Sequence, residues 1–203
     1  MKEKQDYLRD LTEIRSMMER SSKFLSLSGW AGIMAGVYAF AGAHIAFWHL
    51  GFNPHEVFYP YDAESLRYLI ILGIIIMVLA ISNAVVVSRQ KAKKKGESAW
   101  NPVSRKMLSD MAVPLLAGGF LLLVFIARGM LGLLIPATLI FYGLALHNGG
   151  RYTFAEIRIL GIAQILLGLS SIYYMEYSIF IWSAGFGAVH VLYGIYMFFR
   201  YGK

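Results

Sequence analysis

The chain has no cysteine. That excludes disulfides, thiolate metal sites and cysteine nucleophiles, and it leaves the compartment open. Charge is scarce too. Asp, Glu, Lys and Arg make up 15% of the 203 residues, where a soluble domain carries about a quarter. What charge there is leans one way, to a net +7. The first 23 residues have no short apolar core and no cleavage site, so no cleavable signal peptide is expected. Also missing are a paired-carboxylate motif, a zinc-type histidine and glutamate pair on a helix and a serine-nucleophile motif. With them goes the ordinary sequence case for an enzyme.

What remains is apolar. The chain is 58% hydrophobic with a mean hydropathy of +0.56. A helix crosses a bilayer in about 20 apolar residues. Six runs qualify, at about 25–50, 66–88, 109–127, 130–147, 157–175 and 178–199. The reading is an all-α polytopic membrane bundle, six spans in three hairpins (residues 24–203), preceded by a cytoplasmic amphipathic helix over residues 1–23. With both termini inside, every one of the 19 Lys and Arg except Arg67 and Arg128 is cytoplasmic. A positive-inside bias accounts for the basic excess, so nucleic acid is not an expected partner. The basic loop 89–108 contains the cluster Lys91 to Lys95, a candidate contact for anionic lipid.

The N-terminal segment repeats Tyr7, Leu11, Ile14 and Met18 at helical spacing. Its polar face mixes signs: Arg9 pairs in register with Glu13, and Glu19 with Lys23. Such a face suits a cytoplasmic protein partner, a sister helix in a homo-oligomer, or this protein's own loops. After span one, GFNPHEVFYPYDAES is acidic and aromatic. Trp48, Phe52, Phe58, Tyr59 and Tyr61 suit an interfacial belt. His49, His55, Glu56 and Asp62 match no recognised metal-ligand spacing.

Helices in lipid associate through small residues that let backbones approach. Span one carries such a stripe in Gly29, Gly32, Gly36, Ala39, Ala43 and Ala46. Span five aligns Gly161, Gln164, Gly168 and Ser171; span six aligns Ser183, Gly187, His190 and Gly194. Folding the chain about Tyr177 sets Gln164 opposite His190, Gly161 near Gly194, Gly168 near Gly187 and Ser171 at Ser183. A polar side chain in hydrocarbon needs a partner, and a Gln164–His190 hydrogen bond supplies one. Asn83, in line with Gly73 and Ala80, is a second polar contact or an amide close enough to the inner interface to find water.

Intramembrane ionisable groups are functional candidates by default. His44 and His190 invite a haem with two histidine ligands. Yet His44 stands about 10 Å outward of its span centre at 1.5 Å per residue, His190 near its own centre, and His147 at the inner end of span four. No cofactor and no metal is therefore expected. Pro114 and Pro136 could break spans three and four, as in transporters. Pro114, however, falls close to the expected start of its span, and no carboxylate lies at mid-membrane. A passive pore, or a transporter of an ion or a small apolar solute, stays open beside a non-enzymatic component that works through protein contact.

The ends of spans four and six share a faint pattern, FYGLALHN against LYGIYMFFR. Three longer stretches, MMERSSKFLSLSGWAGIMAGVYAFAGA, RYTFAEIRILGIAQILLG and GFGAVHVLYGIYMFFRY, resemble an uncharacterised family of small bacterial inner-membrane proteins of the kind met in Bacteroidota. The resemblance implies an inner-membrane protein and brings no activity and no site residues with it.

Overall fold

The computed structural model describes residues 28–94 and 96–201. The helix expected over residues 1–23 lies outside the described residues, as does Lys95. Every regular element among the described residues is helical, and six helices are long and apolar enough to cross a membrane. We label them in chain order. α1 is Gly29–His44, prolonged by a π-helical turn Ile45–His49; α2 is Ala63–Lys94; α3 is Pro102–Ala127. A 3-10 turn Leu131–Leu133 leads into α4, Leu134–Gly149, and α5 is Ala155–Tyr173. The sixth crossing is composite: a 3-10 turn Met175–Tyr177, α6 Ser178–Trp182, a π segment Ser183–Val189 and α7 His190–Tyr201.

Local chemistry sets several ends. The Ser28 side chain accepts from the Trp30 N–H at 3.3 Å and starts α1. Asp62 accepts from the Ser65 N–H at 2.8 Å ahead of α2, and this backbone hydrogen bond holds its carboxyl below the usual carboxylate range. α2 runs for 32 residues, well past the expected 66–88. Glu64 lies in its first turn and Lys91, Lys93 and Lys94 in its last, which suits the helix dipole at both ends. At 1.5 Å per residue it is about 48 Å long, against a hydrocarbon core of about 30 Å, so the basic turns reach beyond that core. α3 starts seven residues earlier than expected because Asn101 and Ser104 form a reciprocal capping box with Pro102 at the first helical position.

That early start puts Pro114 inside α3, buried. Proline has no N–H for the carbonyl four residues back, here Asp110. The side chain of Asn148, at the end of α4, donates to the Asp110 carbonyl at 3.5 Å. Tyr152 then donates its hydroxyl to the Asp110 carboxylate at 2.5 Å. α3 is continuous through Pro114, and Pro136 falls in the first turn of α4, where no donor is lost. Neither proline breaks its helix.

The helices pack as two sets of three. α1 lies between α2 and the α7 end of the sixth crossing; α4 lies between α3 and α5. The π segment touches both α1 and α5, and α6 touches α4 and α5, so the first half of the sixth crossing, Ser178 to Val189, joins the sets. Glycine sets the closest approaches. A Cβ on Gly29 would stand 2.3 Å from the Gly194 carbonyl, and one on Gly161 would stand 2.6 Å from the Gly143 carbonyl. The glycine rows of spans five and six therefore do not face each other as the fold about Tyr177 implied. Gly161 and Gly168 meet α4, at Gly143 and Ile140; Gly187 and Gly194 meet α1, at Phe40 and Ile33. Ser171 donates to the Gly168 carbonyl of its own helix.

The loop after α1 is a folded cap. Phe52 and Pro54 are buried, Tyr61 donates to the Leu50 carbonyl at 2.5 Å, and the Gly132 N–H donates to the Val57 carbonyl at 3.1 Å. Of the five aromatics expected at the interface, Trp48 and Phe58 are open to the surroundings, whereas Phe52 fills the core with Leu131, Ile135 and Ile179. Phe52 is thus a core residue and not part of an aromatic belt.

Candidate functional site: a buried polar joint on a π-helical segment

Between Ser183 and Val189 the sixth crossing is π-helical. A π turn reaches back five residues instead of four, widens the helix and frees carbonyl groups for other donors. The sequence SAGFGAV tolerates this because two of its glycines are buried and pack directly on neighbours. The Gly185 carbonyl accepts two side-chain donors. Gln164 Nε2 of α5 donates to it at 2.7 Å, and His190 Nδ1 donates at 2.9 Å.

A carbonyl only accepts, so this contact places a hydrogen on Nδ1 of His190. The neutral ring then presents Nε2 as an acceptor, and the Tyr142 hydroxyl of α4 sits 3.0 Å from it. Phe186 stacks on the imidazole with centroids 5.8 Å apart. Gln164 and His190 stand 3.5 Å apart. Because both donate to Gly185, they meet through that carbonyl and not by a direct hydrogen bond. Gln164 is 0% exposed and His190 4%, while Gln164 Oε1 is buried with no partner among the described residues. The Gly185 carbonyl thus ties α5 to the sixth crossing, and the His190 ring extends the link to Tyr142 of α4.

The other expected positions lie elsewhere. His44 is exposed, its ring tilted toward Trp48 and edge-on to His49, at 6.4 and 5.9 Å between ring centroids. Gly36 is the α1 residue level with Val191, next to His190. His44 is eight positions further along, about 12 Å at 1.5 Å per residue. Among the described residues no group of His, Cys, Asp or Glu could hold a metal ion. Asn83 is half-buried on α2 with its Oδ1 unpartnered among the described residues, and the structure does not bring it to the joint. Gly29, Gly32 and Gly36 line the contact of α1 with α7 and the π segment. In the basic cluster, Lys93 and Lys94 are exposed and Lys91 lies over the Phe154 ring at 6.0 Å.

Sequence reasoning missed Tyr142, Gly185 and the π turn. The FYGLALHN and LYGIYMFFR pattern held a trace of the first. In both stretches a tyrosine precedes a glycine at a close helix crossing, Tyr142–Gly143 against Gly161 and Tyr193–Gly194 against Gly29. Tyr142 and Tyr193 pack on the same apolar patch of Leu146, Ile157 and Leu160. At the end of the bundle that holds residue 201, Tyr201 donates to Glu156 at 2.9 Å and Arg200 pairs with it at 3.4 Å. Polar contacts thus flank that patch, Glu156 with Tyr201 and Arg200 on one side and Tyr142 with His190 on the other.

Helix length, hydropathy and this arrangement define a multi-pass membrane protein. Comparison with protein families, with curated proteins and with solved structures finds no match to the chain.

Proposed function

We propose that the protein is a non-enzymatic component of a bacterial inner membrane, with both termini cytoplasmic, that works through contact with another protein as a regulatory or sensory part, or with its own copies. The observation that carries this reading is the joint at Gly185. Two sets of close-packed helices are linked by a short π segment whose Gly185 carbonyl is held by Gln164 of α5 and by His190 of its own crossing. A locally irregular helix at such a joint is a natural place for motion. The mixed-charge seam of residues 1–23 is the surface that reports it, and the one-sided Lys and Arg put that surface in the cytoplasm. The three antiparallel hairpins follow from the same orientation, and on this reading Lys93 and Lys94, both exposed, would meet anionic headgroups.

The test is to delete residues 1–20 and measure capture of a cytoplasmic partner and subunit number by native mass spectrometry from mild detergent. The expected outcome is loss of the partner or a smaller oligomer. If both are unchanged, the reading fails. A small transporter is the second reading, favoured by the unused acceptor Gln164 Oε1 at full burial. It requires flux into liposomes above that of empty vesicles, altered by replacing Gln164.

A further inference from the structure

We propose that His190 is a proton-binding site and that loading it opens the joint between the two helix sets; this rests on the reading of the chain as a sensory component and names its stimulus. The geometry supplies both halves of the idea. As packed, the imidazole uses its single hydrogen on the Gly185 carbonyl and its single lone pair on the Tyr142 hydroxyl. A second proton must go to Nε2. The Tyr142 hydroxyl passes its hydrogen to Nε2 and takes another in return, the net proton arriving from water at the Glu156 end. Nε2 then donates, and Tyr142 must find a new acceptor for its own hydrogen. The unpartnered Gln164 Oε1 is the buried acceptor on the neighbouring helix.

The proton enters from the end that holds Glu156, where that carboxylate accepts from Tyr201. Tyr193 packs beside Tyr142 on the patch of Leu146, Ile157 and Leu160, and the Tyr142 hydroxyl lies 3.0 Å from Nε2.

The surroundings make the added charge consequential. From α4 the ring meets Tyr142; from α5 it meets Gln164; its own crossing offers Gly185 and Phe186 and, one turn on, Tyr193. α1 approaches this level with Gly32 and Gly36, which carry no charge. The nearest carboxylate on these elements is Glu156, eight positions from Gln164 along α5, or about 12 Å. Among the described residues an imidazolium here has no counter-ion beside it in hydrocarbon. It is relieved when the π segment gives way and water enters between the sets, and the glycines of that segment offer little side-chain resistance.

The test uses the full chain in lipid nanodiscs, with histidines labelled in the ring with nitrogen-15. Between pH 8 and pH 4.5 the His190 signals should move from the Nδ1–H neutral pattern to that of imidazolium. The absence of native cysteine allows Leu108→Cys and Phe199→Cys to carry a spin-label pair across the two sets. Their separation should widen by several ångströms over the same pH range, and this widening should vanish in His190→Gln. A His190 signal that stays neutral while the fold persists overturns the proposal. So does titration with no change in separation, or an equal change in His190→Gln. Should that variant fail to fold, the wild-type ring spectrum together with the wild-type separation decides. Neither readout depends on residues 1–20, so failure of partner capture leaves this result to be judged separately.

Discussion

At the scale of single residues, His190 and Tyr142 divide the work at the joint unequally. His190 bonds a carbonyl and a hydroxyl from fully packed surroundings, whereas Tyr142 gives one hydrogen bond. Replacing His190 with leucine keeps the volume and strands the Tyr142 hydroxyl. We expect a loss of about 1–3 kcal/mol, and melting in detergent lower by about 2–4 °C per kcal/mol. Tyr142→Phe should cost about 0.5–1.5 kcal/mol and melt between the two. Identical melting temperatures for wild type and His190→Leu would refute a structural role for the joint. The depth of His190 could be read from the sequence, because a helix rises by a fixed step and a short turn fixes the level at which two arms meet. Its hydrogen-bond partners could not, because they depend on a backbone irregularity. No side-chain pattern marks a π turn, and SAGFGAV reads equally well as α-helix.

Among the elements, α3 shows how a proline is accommodated far from where it stands in the chain. The donor missing at Pro114 is replaced by Asn148, 34 positions away. The two are therefore coupled. Asn148→Ala alone should destabilise by about 1–3 kcal/mol because it leaves the Asp110 carbonyl unpaired. Pro114→Ala restores a backbone N–H to that carbonyl, so Asn148→Ala in that background should cost markedly less. A double-mutant cycle measured by thermal melting reads the difference; strict additivity would show that the Asn148 contact does nothing for the helix. The six spans themselves were legible because length and hydropathy suffice to find them. Their true ends were legible only where a cap is local, as with Asn101 and Ser104 at α3. The rotation of each helix was not legible. Gly161 and Gly194 sit at matching depths, yet each turns toward a different neighbour. Depth follows from one hairpin, whereas rotation is settled by every helix in contact at once.

For the molecule as a whole, the order of helices in space is not their order in the chain. α1, the first crossing described, packs against α7, the last, with backbone contacts at Gly29, Gly36 and Gly194. α1 and α2 thus belong with the chain's far end, and the connection through Gly96 to Trp100 merely leads from one set to the other. Severing the chain between Glu97 and Ser98 and co-expressing the pieces should give two fragments that copurify and melt close to the intact protein. Gly194→Leu in the longer fragment should abolish copurification. Fragments that separate in mild detergent would mean that the α1–α7 seam is weaker than its close approach implies.

The segment from Leu50 to Tyr61 has one more consequence. With Phe52 sunk into the core and Val57 clasping Gly132, it behaves as a stopper and not as slack ribbon. Anyone grafting an epitope or a fluorescent protein onto this molecule would be drawn to that stretch by its length and polarity. It is the wrong place for surgery; the stretch around Ser98, flanked by exposed Glu97 and Trp100, can accept foreign cargo without uncorking the bundle.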